Sequence, residues 1–336
     1  MYKIYPWQTQ KWQQLLGCKA DNKIPHAILL NGLDGIGKFD FAYNFAQNLL
    51  CLHTDEDNCG NCSSCKLLQS GNHPDLFVVK PEPKAKNIKI DQIRELITNL
   101  NNTAQQCGRI VVVINHADLL NTAAANALLK TLEEPAANVF IILTAHNLSA
   151  LPATIRSRCQ IINMQTPEFM QSFAWVKQNN NTAALSDTDL EIALTLTQNA
   201  PLKALDILRT DILSKRLKLF EYLYDLQSKK NNIVAVSANC LDWDLHDLLA
   251  ILMGIISDII KIKFAIINDM NNIDIINADQ MAKLQEITRK IQLDDIFDYQ
   301  KQLLRLKQDL MQNINLNQQL TLENLFINWA QLYNNG

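Results

Sequence analysis

The stretch Gly32-Leu33-Asp34-Gly35-Ile36-Gly37-Lys38-Phe39 limits what this chain can fold into more than any other. It follows a short apolar run, Ala27 to Asn31. It precedes a segment, Asp40 to Leu50, in which Phe41, Phe45, Ala46 and Leu49 recur at helical spacing. Strand, glycine loop and helix in that order make a phosphate loop. Its glycines let backbone N–H groups wrap phosphate oxygens, its lysine reaches the terminal phosphates, and a Ser or Thr after the lysine ligates Mg²⁺. Gly32, Gly35, Gly37 and Lys38 are therefore the candidate nucleotide-binding residues, but Phe39 stands where the hydroxyl belongs. Productive ATP binding is not expected of such a loop.

The pattern around the loop reads as an α/β domain. Trp7, Trp12, Leu15 and Leu16 give a short amphipathic helix expected to pack on the core. Asp75 to Val79 is a strand candidate, and Ile90, Ile93, Leu96, Ile97 and Leu100 form a helix face. Arg109 to Ile114 and Val139 to Leu143 are continuous apolar runs, as a strand covered on both faces of a parallel sheet requires. Thr122 to Leu132 is an alanine- and leucine-rich helix stopped by Pro135. Strands alternating with helices predict a parallel sheet with helices on both faces. Past Pro167 the strand signals fade and apolar helical stripes take over. We expect three parts: an α/β domain over 1–166 with an insertion at 51–65, a small helical lid over 167–208, and an all-α bundle over 209–336. At 336 residues the chain has room for them.

Four of the eight cysteines, Cys51, Cys59, Cys62 and Cys65, fall within fifteen residues. In a reducing compartment such a cluster reads as a metal site. The Cys-x-x-Cys-x-x-Cys spacing gathers three thiolates, and Cys51 can complete a closed tetrahedral Zn²⁺ site of structural type. His53 and His73 are rival fourth ligands.

The second half of an ATPase site is altered as well. In P-loop ATPases of this layout a strand ends in Asp-Glu, which holds Mg²⁺ and polarises the attacking water. Here Val111 to Ile114 ends in Asn115-His116, and neither side chain supplies that anion. Asp118 is close by, and its expected task is to cap the helix that follows.

Two further stretches carry a resemblance. Asn126-Ala-Leu-Leu-Lys-Thr-Leu-Glu-Glu-Pro135 and Leu151-Pro-Ala-Thr-Ile-Arg-Ser-Arg-Cys159 resemble the clamp-loader branch of the AAA+ ATPases, and the four-cysteine insertion is similar to the zinc module of its bacterial members. The resemblance covers residues 1 to about 208 well, and the C-terminal part only by length and helical character. It implies an AAA+ P-loop domain, a lid and an oligomerisation collar. It implies that Arg158 is an arginine finger, reaching the ATP of a neighbouring subunit. The family's nucleotide-sensing arginine in the lid is replaced by Leu202. With Phe39 and Asn115-His116, this points to a non-hydrolysing member rather than the motor subunit, gamma/tau.

The partners implied are the gamma/tau and delta subunits of the loader, the sliding clamp transiently, and primer-template DNA through the complex. A weakly active ATPase using Lys38 is the alternative reading, and a generic AAA+ scaffold would leave the two family stretches unexplained. The net charge of −3 gives no field strong enough to grip DNA by itself. Lys80, Lys84, Lys86 and Lys89 could approach a phosphate backbone, but a solvated loop is the favoured reading. No secretion signal or membrane-spanning run is read, so a cytoplasmic address is expected.

Overall fold

A computed structural model describes residues 4–53, 58–82, 85, 87–100, 103–106, 108–180, 186–228, 230–270, 273, 275–311 and 314–333. The chain divides into two compact units, 1–168 and 169–336. Lys84 and Lys86 of the lysine loop lie outside the described residues, while Lys89 pairs with Glu82 at 3.0 Å on the surface.

The first unit runs α1 (Thr9–Ala20), β1 (Ala27–Asn31), α2 (Lys38–Leu50), α3 (Ser63–Gln69), β2 (Leu76–Val79), α4 (Ile90–Leu100), β3 (Ile110–Ile114), α5 (Thr122–Glu133), β4 (Val139–Ala145), α6 (Ala153–Arg156) and β5 (Gln160–Asn163). The five strands form one parallel sheet in the order β2-β3-β4-β1-β5. Every residue of β3 is buried, which explains its unbroken apolar sequence. Alternate residues serve two layers. Leu29, Val112, Ile141 and Leu143 pack in one buried cluster with Ile93 and Leu96 of α4 and Leu128 of α5. Helix α2 packs on β3 and β4 and brings the fully buried Phe41 and Phe45. Trp12 of α1 meets both rings edge-on, at 5.6 and 6.0 Å between centroids. The expected α/β architecture, with the amphipathic N-terminal helix packed on it, is the one observed.

Strand order positions the site. β4 lies between β3 and β1, so the C-terminal ends of these three strands sit side by side. That edge of an open parallel sheet is where such folds place their ligands. The phosphate loop leaves β1 there, Asn115-His116 leaves β3, and His146 leaves β4.

The described elements of the second unit are all helices, its α-helices being α7 (Phe169–Asn179), α8 (Asp187–Leu196), α9 (Pro201–Arg209), α10 (Ile212–Gln227), α11 (Ile233–Asn239), α12 (Leu245–Asn268), α13 (Met281–Lys290), α14 (Leu293–Met311) and α15 (Gln318–Gln331). One buried cluster runs through it, from Val176 and Leu205 to Phe220, Leu252, Tyr299 and Trp329. Helices on both sides of position 208 share this cluster, so the division into lid and collar is a proposal about function. No described helix is long and apolar enough to cross a membrane.

Candidate functional site

The phosphate loop is held from behind by the N-terminal segment. Gln8 Nε2 donates to the carbonyls of Ile36 and Gly37 at 2.9 and 2.8 Å, and Trp7 Nε1 donates to Ile36 O at 2.9 Å. The Tyr5 ring stacks on Trp7, and its hydroxyl donates to Asp40 Oδ2 at 2.6 Å. Gly37 is the N-cap of α2 with φ of 80°, and a Cβ added there would lie 2.4 Å from the Tyr5 ring. Gly32 has no room either, because a Cβ would lie 2.6 Å from the Met164 carbonyl. Gly35 turns the loop at φ of 82°.

Lys38 is buried and turned onto the loop itself, donating to Gly32 O at 2.8 Å and Leu33 O at 2.6 Å. Burial pushes its pKa down, against the pull of Asp34 and Asp118. Phe39 packs beside Tyr43, so the position that would ligate Mg²⁺ presents an aromatic ring.

At the end of β3, Thr144 Oγ1 donates to Asn115 Oδ1 at 2.8 Å and accepts the His116 backbone N–H at 3.0 Å. His116 takes left-handed backbone angles, φ 54° and ψ 54°. Asp118 does not cap the following helix. Asn121 does, its side chain accepting from Ala124 N at 2.8 Å, because Asp118 belongs to a short 3-10 turn, Ala117–Leu119, that precedes the cap. Asp118 instead reaches His146, 2.7 Å from its Nδ1. Burial acts to raise the Asp118 pKa, but His146 beside it holds the carboxyl below its ordinary value. Sequence reasoning did not single out His146; its signal was a histidine directly after β4, the strand next to β3.

The four cysteines converge as expected. Sγ–Sγ distances are 4.0 Å for Cys51–Cys62, 3.9 Å for Cys59–Cys65 and 3.4 Å for Cys51–Cys65. Four sulfurs at about 2.3 Å from a tetrahedral ion would stand about 3.8 Å apart. The donor set thus fits a metal ion. Backbone N–H groups of Cys62 and Cys65 donate to the sulfurs of Cys59 and Cys62 at 3.4 and 3.3 Å, an arrangement that favours thiolates. Such bonds draw the Cys59 pKa down to about 6. His73 is not a ligand. Its Nδ1 accepts from Asp75 N at 3.1 Å, so its Nε2–H is left for Ser64 Oγ at 2.9 Å, and Ser64 in turn donates to Leu50 O. It braces the chain on both sides of the cluster, while His53 is exposed and absent from the cluster.

Arg158 follows α6 on the surface of the same unit. Its guanidinium pairs with Glu133 Oε1 at 2.5 Å and donates to Thr154 O at 2.9 Å, with a third of the side chain exposed. Glu133 and Arg158 come from the two stretches that carried the resemblance, and the fold brings them together.

The family described as "DNA polymerase III, delta subunit" matches residues 7–168, and "DNA polymerase III, delta subunit, C terminal" matches residues 210–331. The chain is 34% identical to DNA polymerase III subunit delta' of Pseudomonas aeruginosa, over 99% of both chains. It is 30% identical to the subunit delta' of Yersinia pestis, over 99% of this chain and 97% of that one.

Proposed function

Because this chain belongs to the DNA polymerase III delta' family, we propose that it is the clamp-loader subunit that does not hydrolyse ATP itself and acts on a neighbour's ATP through Arg158. The observation that carries the reading is a contrast within one domain. The chain's own site has Phe39 for a hydroxyl, Asn115-His116 for two carboxylates, and a lysine bound to its own loop carbonyls. Arg158, by contrast, is presented at the surface by a short helix and an acidic partner.

At a neighbouring subunit the guanidinium would leave Glu133 for the phosphates of bound ATP, where it stabilises charge on the transferred phosphoryl group. Exchange of one anion for another keeps the arginine paired throughout. The phosphate loop, held from behind by Tyr5, Trp7 and Gln8, serves as a fold element in the same reading. Cys51, Cys59, Cys62 and Cys65 hold a structural Zn²⁺, which has no open coordination position. Gamma/tau and delta subunits are the partners, with the sliding clamp and primed DNA reached through the complex in the cytoplasm. The collar over 209–336 supplies the assembly contacts.

ATP turnover by the purified chain, alone and then mixed with the motor and delta subunits, tests this. The isolated chain should show no turnover above background, and the mixture should yield one complex that contains it. Turnover by the isolated chain that is lost in Lys38→Ala would support the motor-type reading instead.

A further inference from the structure

The group formed by His116, Asp118 and His146 is not used by the function proposed above. One ligand atom from each lies within 4.8 Å of the others. His146 Nδ1 is 2.7 Å from Asp118 Oδ2, and the two imidazoles meet edge to face with 5.8 Å between centroids. Around a four-coordinate ion with bonds of about 2.0 to 2.1 Å, ligand atoms stand about 3.3 Å apart. The observed separations, from 2.7 Å up to 4.8 Å, bracket that value, so binding an ion would part the Asp118–His146 pair and draw the remaining donor in.

The contact between Asp118 and His146 accounts for only part of this arrangement. The Asp118 side chain is 2% exposed, and its Oδ1 is buried with no hydrogen-bond partner. Such an orphaned carboxylate oxygen is costly inside a protein. His116 is also held in a left-handed backbone conformation, uncommon for a residue with a side chain. Thr144 fixes that conformation from the neighbouring strand, through the two hydrogen bonds already described. The end of β3, the turn after it and the end of β4 thus bring one carboxylate and two imidazoles within 4.8 Å of one another at the sheet edge. A cation there would use the orphaned oxygen.

We infer that His116, Asp118 and His146 form a second metal site, separate from the cysteine cluster, for a divalent first-row transition ion such as Zn²⁺. Two imidazoles and one carboxylate suit that class, whereas Mg²⁺ prefers an all-oxygen shell. The nearby cation Lys38 is already engaged by two loop carbonyls, and Asp34 adds a second negative charge to the surroundings. The site occupies the ground where a working ATPase keeps its Mg²⁺ carboxylates, but with the donors of a different ion.

The test is titration of the full chain with Zn²⁺ after one equivalent has been supplied to the thiolates. Calorimetry should record a further equivalent. Co²⁺ in its place should add visible d–d absorption without new thiolate charge transfer. His146→Gln, at a side chain one-third exposed, should weaken the second equivalent more than tenfold while the thiolate-bound equivalent is retained. Asp118→Asn should do the same; if it fails to fold, His146→Gln alone decides. No second equivalent, or a second equivalent untouched by His146→Gln, would overturn the assignment.

Discussion

Gly37 meets two demands that no other residue can satisfy together. Its positive φ turns the loop into α2, and its bare Cα accepts the Tyr5 ring. Gly37→Ala should therefore lower stability by about 1 to 3 kcal/mol from backbone strain alone, with more from displacing Tyr5. Chemical denaturation checks this, and a change within error would mean that neither the left-handed backbone nor the Tyr5 contact constrains this position. Arg158 behaves differently, because its pairing with Glu133 is at the surface. Glu133→Gln should change stability by less than about 1 kcal/mol, and a larger loss would make the pair structural. Glycines and lysine were legible in the sequence because a phosphate loop fixes their register. Asp118 was misread because cap residues are short and polar, and both Asp118 and Asn121 qualify. Only the 3-10 turn decides between them.

At the scale of elements, the zinc reading makes α3 dependent on metal. Cys62 is the N-cap of α3, its sulfur accepting from Cys65 N, and Cys65 is inside the helix. Removing the ion with a chelator should raise amide exchange across residues 58–69 and leave the sheet protected. Uniform protection before and after would show that the thiols hold the knuckle without metal.

A second element-scale device joins α10 and α12 to the 3-10 turn Ala278–Gln280 that leads into α13. Arg216 is 3% exposed and bonds Asn277 Oδ1 at 2.8 Å and Asp279 through both nitrogens, while Asp258 on α12 accepts from Ile276 N and Asn277. Burial acts to raise the Asp279 pKa, but Arg216 outweighs it and holds the carboxyl below its ordinary 3.8. Its contribution to stability is complete above that value and is lost as pH falls through the lower, folded one. Asp279→Asn should cost about 3 kcal/mol by leaving Arg216 without its charge partner, and should flatten the acid limb of stability against pH. An unchanged acid limb would exclude the pair as its source.

Long periodic helices such as α10 and α12 were plain in the sequence. The shorter α3, α11 and edge strand β5 were not, since four to seven residues span no more than two periods and β5 has one buried residue in four.

At the scale of the whole molecule, the proposed function divides between the two units. Under the proposed function the α/β unit would display Arg158 and keep a phosphate loop as scaffold, and the helical unit would serve assembly. That division was readable because the apolar pattern changes period near Pro167, and the two compact units meet one residue later, at 168/169. The boundary at 208 had no comparable signal, since the helices on either side contribute to one core. His146 escaped notice for a topological reason. Its partners are 28 or more positions away in sequence, and only the placement of β4 beside β3 brings them together.

The central claim is that this chain serves a neighbour's ATP site rather than its own. DNA-stimulated ATP hydrolysis by the reconstituted loader, with Arg158→Ala and Lys38→Ala introduced separately into this subunit, tests it most directly. Arginine fingers supply about 10³ to 10⁵ in rate at the site they serve, diluted here by the loader's other sites. The account predicts a clear loss of hydrolysis with Arg158→Ala in a complex that still assembles, and wild-type hydrolysis with Lys38→Ala. Loss with Lys38→Ala and none with Arg158→Ala would contradict it.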